Sequence, residues 1–457
     1  MRFRVKLWVR ESVPHMMPGR FLPVLLLTSA GIPGLGAQTP SADGTAQRSV
    51  TLAEALRLSQ RVQPDVIRAS ADVRTAGARR RTAWGAFLPT VSASSSASDF
   101  FSEGTSRIDP ITGQLTGGNS SNRSISTSLS ANVDLFTGFR RGAEIRAARA
   151  AEDAASASLI DARFQQALTT TNQFLDALAA AQLVTVRETS VRRAEEQLKT
   201  SIAKLRAGSA TRSDSLRSLV TLGNTRLDLI TTQADLAAAE ANLARLIGEK
   251  GRVRAADDSA FYRIQPVIDT QALRIEAEAS SPRVRSAAAS ASAARADLGA
   301  SRSAYWPTLN LAANTGWNGS RSNDYDLLNQ RQISLSLRWT LFNGFDRELT
   351  IVQREADLDL AEATAADAQR EVEAELITRL AELDAARARI EITGTSVLAA
   401  REDLRVQQER YRLGVSTIVD LLTSQEALNQ AEVDVVTARF DYLRARAQLE
   451  ALIGRNL

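Results

Sequence analysis

Cysteine is absent from all 457 residues of the chain, and the only histidine is His15. His15 and all three methionines fall within the first 17 residues. Beyond that point the chain has no thiolate or imidazole with which to ligate a metal, act as a nucleophile or form a serine-histidine triad. We therefore expect no cofactor, no metal site of this kind and no enzyme of these classes. A lipid anchor on an N-terminal cysteine is excluded for the same reason.

Residues 1–37 have the pattern of a secretory signal peptide. Basic residues precede an apolar core at 21–27, and Gly36 and Ala37 provide a small-residue cleavage site. The segment holds five basic residues and one acidic residue, which accounts for the whole formal net charge of +4. A mature chain is then close to neutral, and it has no basic stripe with interleaved aromatic residues. We expect no nucleic-acid partner.

Proline is missing over long stretches, which predicts unusually long helices. None lies between Gly138 and Pro266. Residues 139–206 predict a helix of roughly 100 Å at 1.5 Å per residue, and a second one follows Gly344. Apolar residues in these segments recur every seven positions, which is typical of coiled-coil packing. The rows are Val184, Val191, Leu198 and Leu205 in the first segment, and Ile390, Val397, Leu404 and Tyr411 in the second.

Each long helix is followed by a return helix with a row of large and a row of small residues. The pattern predicts that neighbouring helices pack closely side by side, because large side chains fit beside small ones. The large rows are Leu222, Leu229, Leu236 and Leu243, and Leu421, Leu428, Val435, Tyr442 and Leu449. The small rows are Ser218, Thr225, Thr232 and Ala239, and Ser424, Ala431, Ala438 and Ala445.

Shorter elements precede each long helix. Thr51, with Glu54 three positions later, predicts a capped helix start, and Pro64 and Pro89 delimit the next helix at 65–85. Residues 283–304 form the corresponding helix in the second half. Alternating residues predict strands. These cover 90–101, 125–133, 309–317 and 333–341, with long loops at 103–122 and 318–330.

The chain contains the same series of elements twice. Four pairs of residues are separated by 206 positions: Gly138 and Gly344, Gly208 and Gly414, Asp214 and Asp420, and Gly248 and Gly454. Four markers at one offset indicate a tandem duplication. We predict one repeat at 38–250 and a second at 251–457, the latter beginning with an irregular connector.

The strands suit a membrane in length and pattern. About ten residues with one apolar face is the span of a tilted membrane strand, although a half-buried soluble sheet gives the same alternation. Trp317, Trp339 and Phe342 stand near strand ends, which favours the membrane interpretation. Four strands cannot close a barrel, and open edges are not tolerated in hydrocarbon. Oligomerisation is therefore expected. Three copies would give twelve strands, while counting alone also permits two or four.

Together these residues resemble the TolC-like outer membrane efflux proteins. The resemblance covers essentially the whole mature chain. It rests on the helix start at 51–56 and on Pro89 and Pro307 before the strands. It also rests on the Leu-Phe-x-Gly-Phe junctions at 135–139 and 341–345, and on the stretch 411–422. It implies a mainly α fold with membrane β-strands, in which a homotrimer forms a 12-stranded β-barrel in the outer membrane. Long antiparallel helical hairpins would continue it as an α-barrel across the periplasm.

The function implied by the resemblance is an export duct. Such a channel docks with a periplasmic adaptor and an inner-membrane transporter, in a tripartite efflux or type I secretion system. The chain has no P-loop, so its part would be passive. A general outer membrane porin and a periplasmic coiled-coil adaptor or scaffold are the alternatives. An enzyme is the weakest rival, because adjacent carboxylates such as Glu195 and Glu196 face different directions on a helix.

The turns after the two long helices are candidate functional sites. From the residues alone, Gly208 and Gly414 predict helix C-caps after basic residues, and Asp214 and Asp420 predict capping boxes with Thr211 and Thr417. The resemblance adds a periplasmic constriction at Asp214, Tyr411 and Asp420, where three copies of an aspartate would form an acidic ring. It also places adaptor-docking tips at Arg206, Gly208, Ser209, Arg412, Gly414 and Val415.

This chain departs from the resembled pattern at two positions. Ser416 stands where an arginine partner is found, and Thr423 stands where a second aspartate is found. A ring with one aspartate per tip is therefore expected, without the ion-pair lock.

The strand-to-helix junctions are the third candidate site. Gly138 and Gly344 would let each strand bend into its helix without a Cβ clash. The flanking phenylalanines would lie at the bilayer boundary. These are Phe136, Phe139, Phe342 and Phe345.

Overall fold

The computed structural model describes residues 47–116, 120–258, 281–320 and 324–454. The predicted signal peptide and most of the connector lie outside these ranges. In chain order the helices are α1 (Leu52–Val62), α2 (Pro64–Gly85), α3 (Arg140–Arg206), α4 (Arg212–Ile247), α5 (Pro282–Ser301), α6 (Asp346–Arg412) and α7 (Ile418–Ile453). The strands are β1 (Ser49–Val50), β2 (Thr90–Ser102), β3 (Arg107–Ile108), β4 (Leu115–Thr116), β5 (Ser120–Phe136), β6 (Arg254–Ala255), β7 (Thr308–Ser320) and β8 (Leu328–Arg338).

The duplication is visible in the helix lengths. Helices α3 and α6 both have 67 residues, and the return helices α4 and α7 both have 36. At 1.5 Å per residue each long helix extends about 100 Å. The start of α1 is capped as predicted, since the Thr51 side chain accepts a hydrogen bond from the backbone N–H of Glu54.

The helices lie side by side. Near the sheet the order of neighbours is α2, α3, α5 and α6, and towards the other end it is α4, α3, α7 and α6. Helices α3 and α6 therefore extend from the sheet to the opposite end. Beside them, α2 and α5 near the sheet give way to α4 and α7 towards that end. The seven-residue rows lie in these contacts, as predicted: in α7 the large row is buried except for half-buried Val435, and the small row is buried throughout.

Within the described residues, the buried apolar side chains form three separate clusters. The largest contains Phe174 and Leu178 of α3, Leu243 of α4 and Phe440 of α7. It is covered by α1 and by a two-stranded parallel ribbon of β1 and β6. A second cluster joins α5, α6 and α7, and a third lies at the far end of α6 and α7.

The four long strands form a single antiparallel sheet in the order β2-β5-β7-β8. The sequence predicts two hairpins, and the additional pairing of β5 with β7 joins them. Because β5 leads into α3 after three residues, the sheet lies at the end of the long helices. Strands β2 and β8 are the two edges, and each has a strand partner on one side only among the described residues.

The strand lengths differ from the prediction. They are 13, 17, 13 and 11 residues, longer than the expected ten. The first loop is correspondingly shorter and contains the small hairpin β3-β4. The predicted loop was wrong at its C-terminal end, because Ser120, Ser121 and Asn122 pair with β2. In contrast, β8 ends at Arg338, three residues before the predicted end at Leu341.

The sheet has one polar face and one apolar face. On the polar face a ladder of serine hydroxyl pairs joins β2 and β5 at 2.7–2.9 Å: Ser92 with Ser130, Ser94 with Ser128, Ser96 with Ser126, and Ser98 with Ser124. The apolar face exposes large side chains, including Ile333 (78%), Leu335 (63%) and Leu337 (69%). An apolar band of this size on a sheet surface marks contact with another apolar phase.

Among the helices within the described ranges, none carries an apolar stretch sufficient to cross a bilayer.

One polar cluster connects α3 of the first helical hairpin to α7 of the second. Arg193 of α3 donates hydrogen bonds to Glu432 Oε2 at 2.7 Å and to Asn429 Oδ1 at 2.7 Å, both on α7. Ser190 Oγ also donates to Asn429 Oδ1 at 2.9 Å. The side chains of Arg193 and Glu432 are only 20% and 15% exposed. Removing one partner of such a pair leaves the other charge poorly solvated.

We predict that Glu432→Ala destabilises the protein and that Glu196→Ala does not. The first change strips a half-buried arginine of its counter-charge, at a cost of about 1–3 kcal/mol. Glu196 is 72% exposed and pairs with Lys199 on the surface, where such pairs contribute about 0–1 kcal/mol. Thermal unfolding in detergent, followed by circular dichroism at 222 nm, measures both. Equal midpoints for the two variants would contradict the structural role of the pair.

Candidate functional site

Both tip turns have the same backbone hydrogen bonds. After α3, the N–H of Gly208 donates to Leu205 O at 3.0 Å and that of Ser209 donates to Lys204 O at 2.9 Å. After α6, the N–H of Gly414 donates to Tyr411 O at 3.1 Å and that of Val415 donates to Arg410 O at 2.9 Å. This is the Schellman pattern, which requires a left-handed residue. Gly208 (φ 73°) and Gly414 (φ 81°) supply it.

The return helices both start with a capping box. The Thr211 hydroxyl accepts from Asp214 N at 3.3 Å, and Asp214 Oδ2 accepts from Thr211 N at 2.9 Å. Thr417 and Asp420 repeat the arrangement at 3.2 and 3.1 Å. The predicted capping is thus confirmed for both aspartates. Whether they also form a constriction stays a prediction.

Asp420 has a richer environment than Asp214. Its Oδ2 atom also accepts from the Thr417 hydroxyl at 2.8 Å and from the Ser416 hydroxyl at 3.2 Å. These hydrogen bonds, the one from the Thr417 side chain foremost, lower the pKa of the Asp420 carboxyl. Ser416, which stands where the resemblance expects an arginine, has a neutral hydroxyl whose single proton is shared between Asp420 Oδ2 and Gln407 Oε1 at 3.0 Å. Asp420 is exposed and stays ionised at neutral pH.

Tyr411 is buried, at 6% exposure, in the third core cluster with Leu404, Ile418 and Leu421. Its hydroxyl group is enclosed without a hydrogen-bond partner among the described residues. The structure therefore does not join Tyr411 to Asp214 or Asp420 within one chain. Its neighbour is Lys204 of α3.

Lys204 connects the end of α3 to the end of α6. Its ammonium nitrogen lies 4.1 Å from the centroid of the Tyr411 ring and donates a hydrogen bond to the Tyr411 backbone carbonyl. Lys204 is one of the basic residues before Gly208 that the sequence analysis expects at the C-terminus of their own helix. Its side chain instead contacts the C-terminus of α6. Its position in the last turn was the available signal, but the partner helix could not be deduced from spacing.

The junction glycines have the left-handed backbone on which the bend depends. Gly138 and Gly344 have φ of 61° and 70°, and the following residues, Phe139 and Phe345, are also left-handed at 67° and 68°. In each pair of phenylalanines the rings meet edge to face at 5.4 Å: Phe136 with Phe139, and Phe342 with Phe345. Phe139 and Phe345 are 70% and 69% exposed.

Each junction is bound by one arginine. The sequence analysis did not single out either arginine. Arg141 donates to the backbone carbonyl of Asp134, and Arg347 donates to that of Thr340 at 3.1 Å. The same guanidinium groups lie 5.1 Å from the Phe87 ring and 4.3 Å from the Tyr305 ring. Both arginines stand three residues after the junction glycine, and thus obey the 206-residue offset. Applying the offset to every residue would have found them.

Gly138 also makes a close approach. A Cβ atom on it would lie 2.6 Å from Ser303 O and 2.7 Å from Trp306 Cβ, distances at which the backbone must move. The turn before β7 therefore packs directly on the first junction.

We predict that Gly138→Ala destabilises the fold by about 2–4 kcal/mol, through left-handed strain and overpacking. Gly113→Ala is the matched control, because Gly113 has φ of 66° but no atom within 4 Å of a Cβ. Thermal unfolding compares them. The close approach would be refuted by equal losses in the two variants.

We further predict that Lys204→Met loosens the α6 tip. Loss of the cation-π contact and the carbonyl hydrogen bond, together worth about 1–3 kcal/mol, should accelerate local amide exchange about tenfold or more. Lys199→Met is the control, since Lys199 lies on the same helix and contacts only exposed Glu196. Hydrogen exchange of peptides covering 404–415 measures the effect. Unchanged protection in Lys204→Met would remove Lys204 from the tip.

The chain matches the family model described as "Outer membrane efflux protein" over residues 55–249 and 273–455. It therefore belongs to the outer membrane efflux protein family, as the sequence resemblance indicated. It is an efflux channel protein of the outer membrane that extends into the periplasm. The family and the relatives are channels rather than enzymes.

Individual relatives agree with this class. The outer membrane efflux protein BepC of Brucella suis is 25% identical over 328 residues, covering 70% of this chain and 71% of BepC. The alkaline protease secretion protein AprF of Pseudomonas aeruginosa is 24% identical over 288 residues, 62% of this chain and 60% of AprF. The crystal structure of VceC from Vibrio cholerae has the same fold, with a TM-score of 0.73, 17% identity, and coverage of 89% of this chain and 96% of VceC.

Proposed function

We propose that the chain is the exit duct of a tripartite efflux or type I secretion system, and that it works as a homotrimer. The observation that carries the proposal is the open four-stranded sheet with an exposed apolar face at the end of helices of about 100 Å. The names of BepC and AprF, one an efflux protein and one a protease secretion protein, support both kinds of system.

The sheet supports the trimer. Strands β2 and β8 leave two edges free, and free edges in hydrocarbon cost several kcal/mol for each unsatisfied backbone group. Joining β8 of one copy to β2 of the next closes a ring, because the two edges are different surfaces. Three copies give twelve strands, within the range of membrane barrels. The apolar face would meet lipid, and the serine ladder would face the lumen.

The helices support a tube below the barrel. Within the described residues four helices lie side by side near the sheet and four towards the tips, so three copies would supply twelve in either region. The edge helices α4 and α6 still expose apolar side chains, among them Leu219, Leu227, Ile377 and Leu398 at 52–66%. Contact between neighbouring copies would cover part of this surface.

The tips would form the periplasmic entrance. Asp214 and Asp420 stand at the starts of α4 and α7, and Tyr411 is the penultimate residue of α6. Three copies of each aspartate would make an entrance that favours cations. The exposed turn residues Arg206, Gly208, Ser209, Arg412, Gly414 and Val415 are the proposed docking surface for a periplasmic adaptor. Energy would come from an inner-membrane transporter, while this chain conducts passively.

Asp420→Asn tests the entrance. Asparagine retains a carbonyl that can accept from Thr417 N, so the helix cap survives while the charge is lost. We expect conductance to remain and the cation-to-anion permeability ratio in planar bilayers to fall at least several-fold. Glu402→Gln is the control, because Glu402 is an exposed carboxylate of α6 paired with Arg405.

The outcomes separate two claims. If wild-type protein forms no channel, or has a mass in detergent other than three chains, the proposed duct is wrong. If channels form and Asp420→Asn keeps the wild-type permeability ratio, only the role of Asp420 fails.

A further inference from the structure

A polar groove is bounded by α3, α6 and α7. Helix α3 contributes residues within 189–200, α6 contributes residues within 408–412, and α7 contributes Leu421 and Gln425. The groove has a volume of about 480 Å³. Leu421 is the only aliphatic residue among those described in its lining. All three helices belong to one chain, so the groove is complete in a single copy.

Three buried polar atoms without a hydrogen-bond partner belong to residues that line this groove. They are Arg193 Nε, the Tyr411 hydroxyl and Gln425 Nε2, and the described part of the chain has only two others. Tyr411 and Gln425 are 6% and 3% exposed. A buried polar group normally has a partner, because leaving it unmatched is costly. The concentration of three such atoms at one groove therefore points to a ligand.

The unmatched atoms share the ability to donate a hydrogen bond. The arginine Nε and the amide nitrogen of Gln425 only donate, and the Tyr411 hydroxyl can donate or accept. Arg192 adds an exposed guanidinium group to the same lining, and this group donates to the neutral Thr189 hydroxyl at 2.8 Å. A ligand that matches these groups must supply acceptor oxygens.

The charges at the groove favour a negative ligand. The acidic residues that line it are already in ion pairs, at 2.6 Å for Glu196 with Lys199 and 2.9 Å for Glu409 with Arg412. Arg193 is paired as well, with Glu432 at 2.7 Å. Arg192 forms no ion pair within the described ranges, and Lys204 adds a cation against the Tyr411 ring. The surroundings thus have an excess of positive charge, which attracts an anion.

The other repeat shows that helix packing does not require these polar residues. Helices α3 and α6 have equal lengths, as do α4 and α7, so the 206-residue offset relates their positions exactly. The equivalents are all apolar: Leu398 for Arg192, Ala399 for Arg193, Leu205 for Tyr411, and Leu219 for Gln425. The four donors therefore belong to one copy of the repeat only, which is expected of a binding site and not of the shared fold.

We propose that this groove binds an oxyanion, the carboxylate or phosphate group of a small solute, through Arg192, Arg193 Nε, Gln425 Nε2 and the Tyr411 hydroxyl. A carboxylate has two acceptor oxygens and a phosphate has more, so either group can accept from several of these donors at once. The exposed side chain of Arg192 can rotate onto the bound anion. The site is separate from the proposed exit duct and does not depend on it, because every donor lies in one chain.

Isothermal titration calorimetry of the protein in detergent tests the site with two probes. These are inorganic phosphate and citrate, each compared with chloride at equal ionic strength. We expect saturable binding of one probe molecule per chain at millimolar concentration or below. Binding of phosphate alone would identify a phosphate site, binding of citrate alone a carboxylate site, and binding of both a general oxyanion site. No saturable binding in this range, or equal binding of chloride, would overturn the proposal and leave water as the occupant.

Arg192→Leu and Gln425→Leu introduce the residues of the other repeat. Each should weaken binding of the probe about tenfold or more, as expected for the loss of one hydrogen bond to a charged group. Arg192 is exposed, so its variant reports on binding without a change in the core. Gln425→Leu removes a buried unmatched amide, and its thermal midpoint without any probe should equal or exceed that of the wild type.

Arg405→Leu is the matched control. It also removes one arginine from an exposed helix surface, but Arg405 lies outside the groove and pairs with Glu402 at 2.6 Å. This variant should bind the probe as the wild type does. If Arg192→Leu and Gln425→Leu bind as tightly as Arg405→Leu, the anion is held elsewhere and the groove is not its site.

Discussion

The unpaired backbone at the edges of the sheet is the constraint on which the rest of the structure depends. A soluble four-stranded sheet hydrogen-bonds its edges to water, but a sheet in hydrocarbon cannot, and each unsatisfied group costs several kcal/mol. The apolar face of β5, β7 and β8 commits this sheet to an apolar phase. The proposed closure by further copies would satisfy these edges, and it would set twelve helices around one axis beneath the proposed barrel.

The junctions connect the sheet to the long helices. A left-handed glycine followed by a left-handed phenylalanine redirects the chain within three residues from β5 into α3. A non-glycine residue in this region is uncommon and costs about 1–2 kcal/mol, so something must hold Phe139 and Phe345 there. Arg141 and Arg347 do so from the helix side, by binding a backbone carbonyl before the junction and stacking on the aromatic residue that precedes the neighbouring strand, β2 or β7. The strand end and the helix start are thereby one unit.

Most of the architecture could be predicted from the sequence because the sequence contains it twice. The 206-residue offset and the seven-residue rows predict helix pairs of equal length, and the residues of the α7 rows are buried accordingly. The pairing of β5 with β7 could not be predicted, since it joins residues nearly 200 positions apart and leaves no local pattern. The Ser-rich start of β5 at 120–124 escaped prediction because serine is common in loops, whereas here these residues pair with β2.

The tips show why local chemistry and function must be separated. Thr417 and Asp420 form a capping box that would stabilise α7 in any helical protein, and the hydrogen bonds from Thr417 are the foremost cause of the lowered pKa of the Asp420 carboxyl. A lowered pKa means that the stabilisation is present above the unfolded value, about 3.9, and is lost only as the pH falls through the folded value. The carboxylate is thus ionised throughout the neutral range with its Oδ2 atom committed to the cap. Its Oδ1 atom accepts no hydrogen bond from the described residues, and a charge that is fixed in place and still open to water is what an acidic ring around a pore requires.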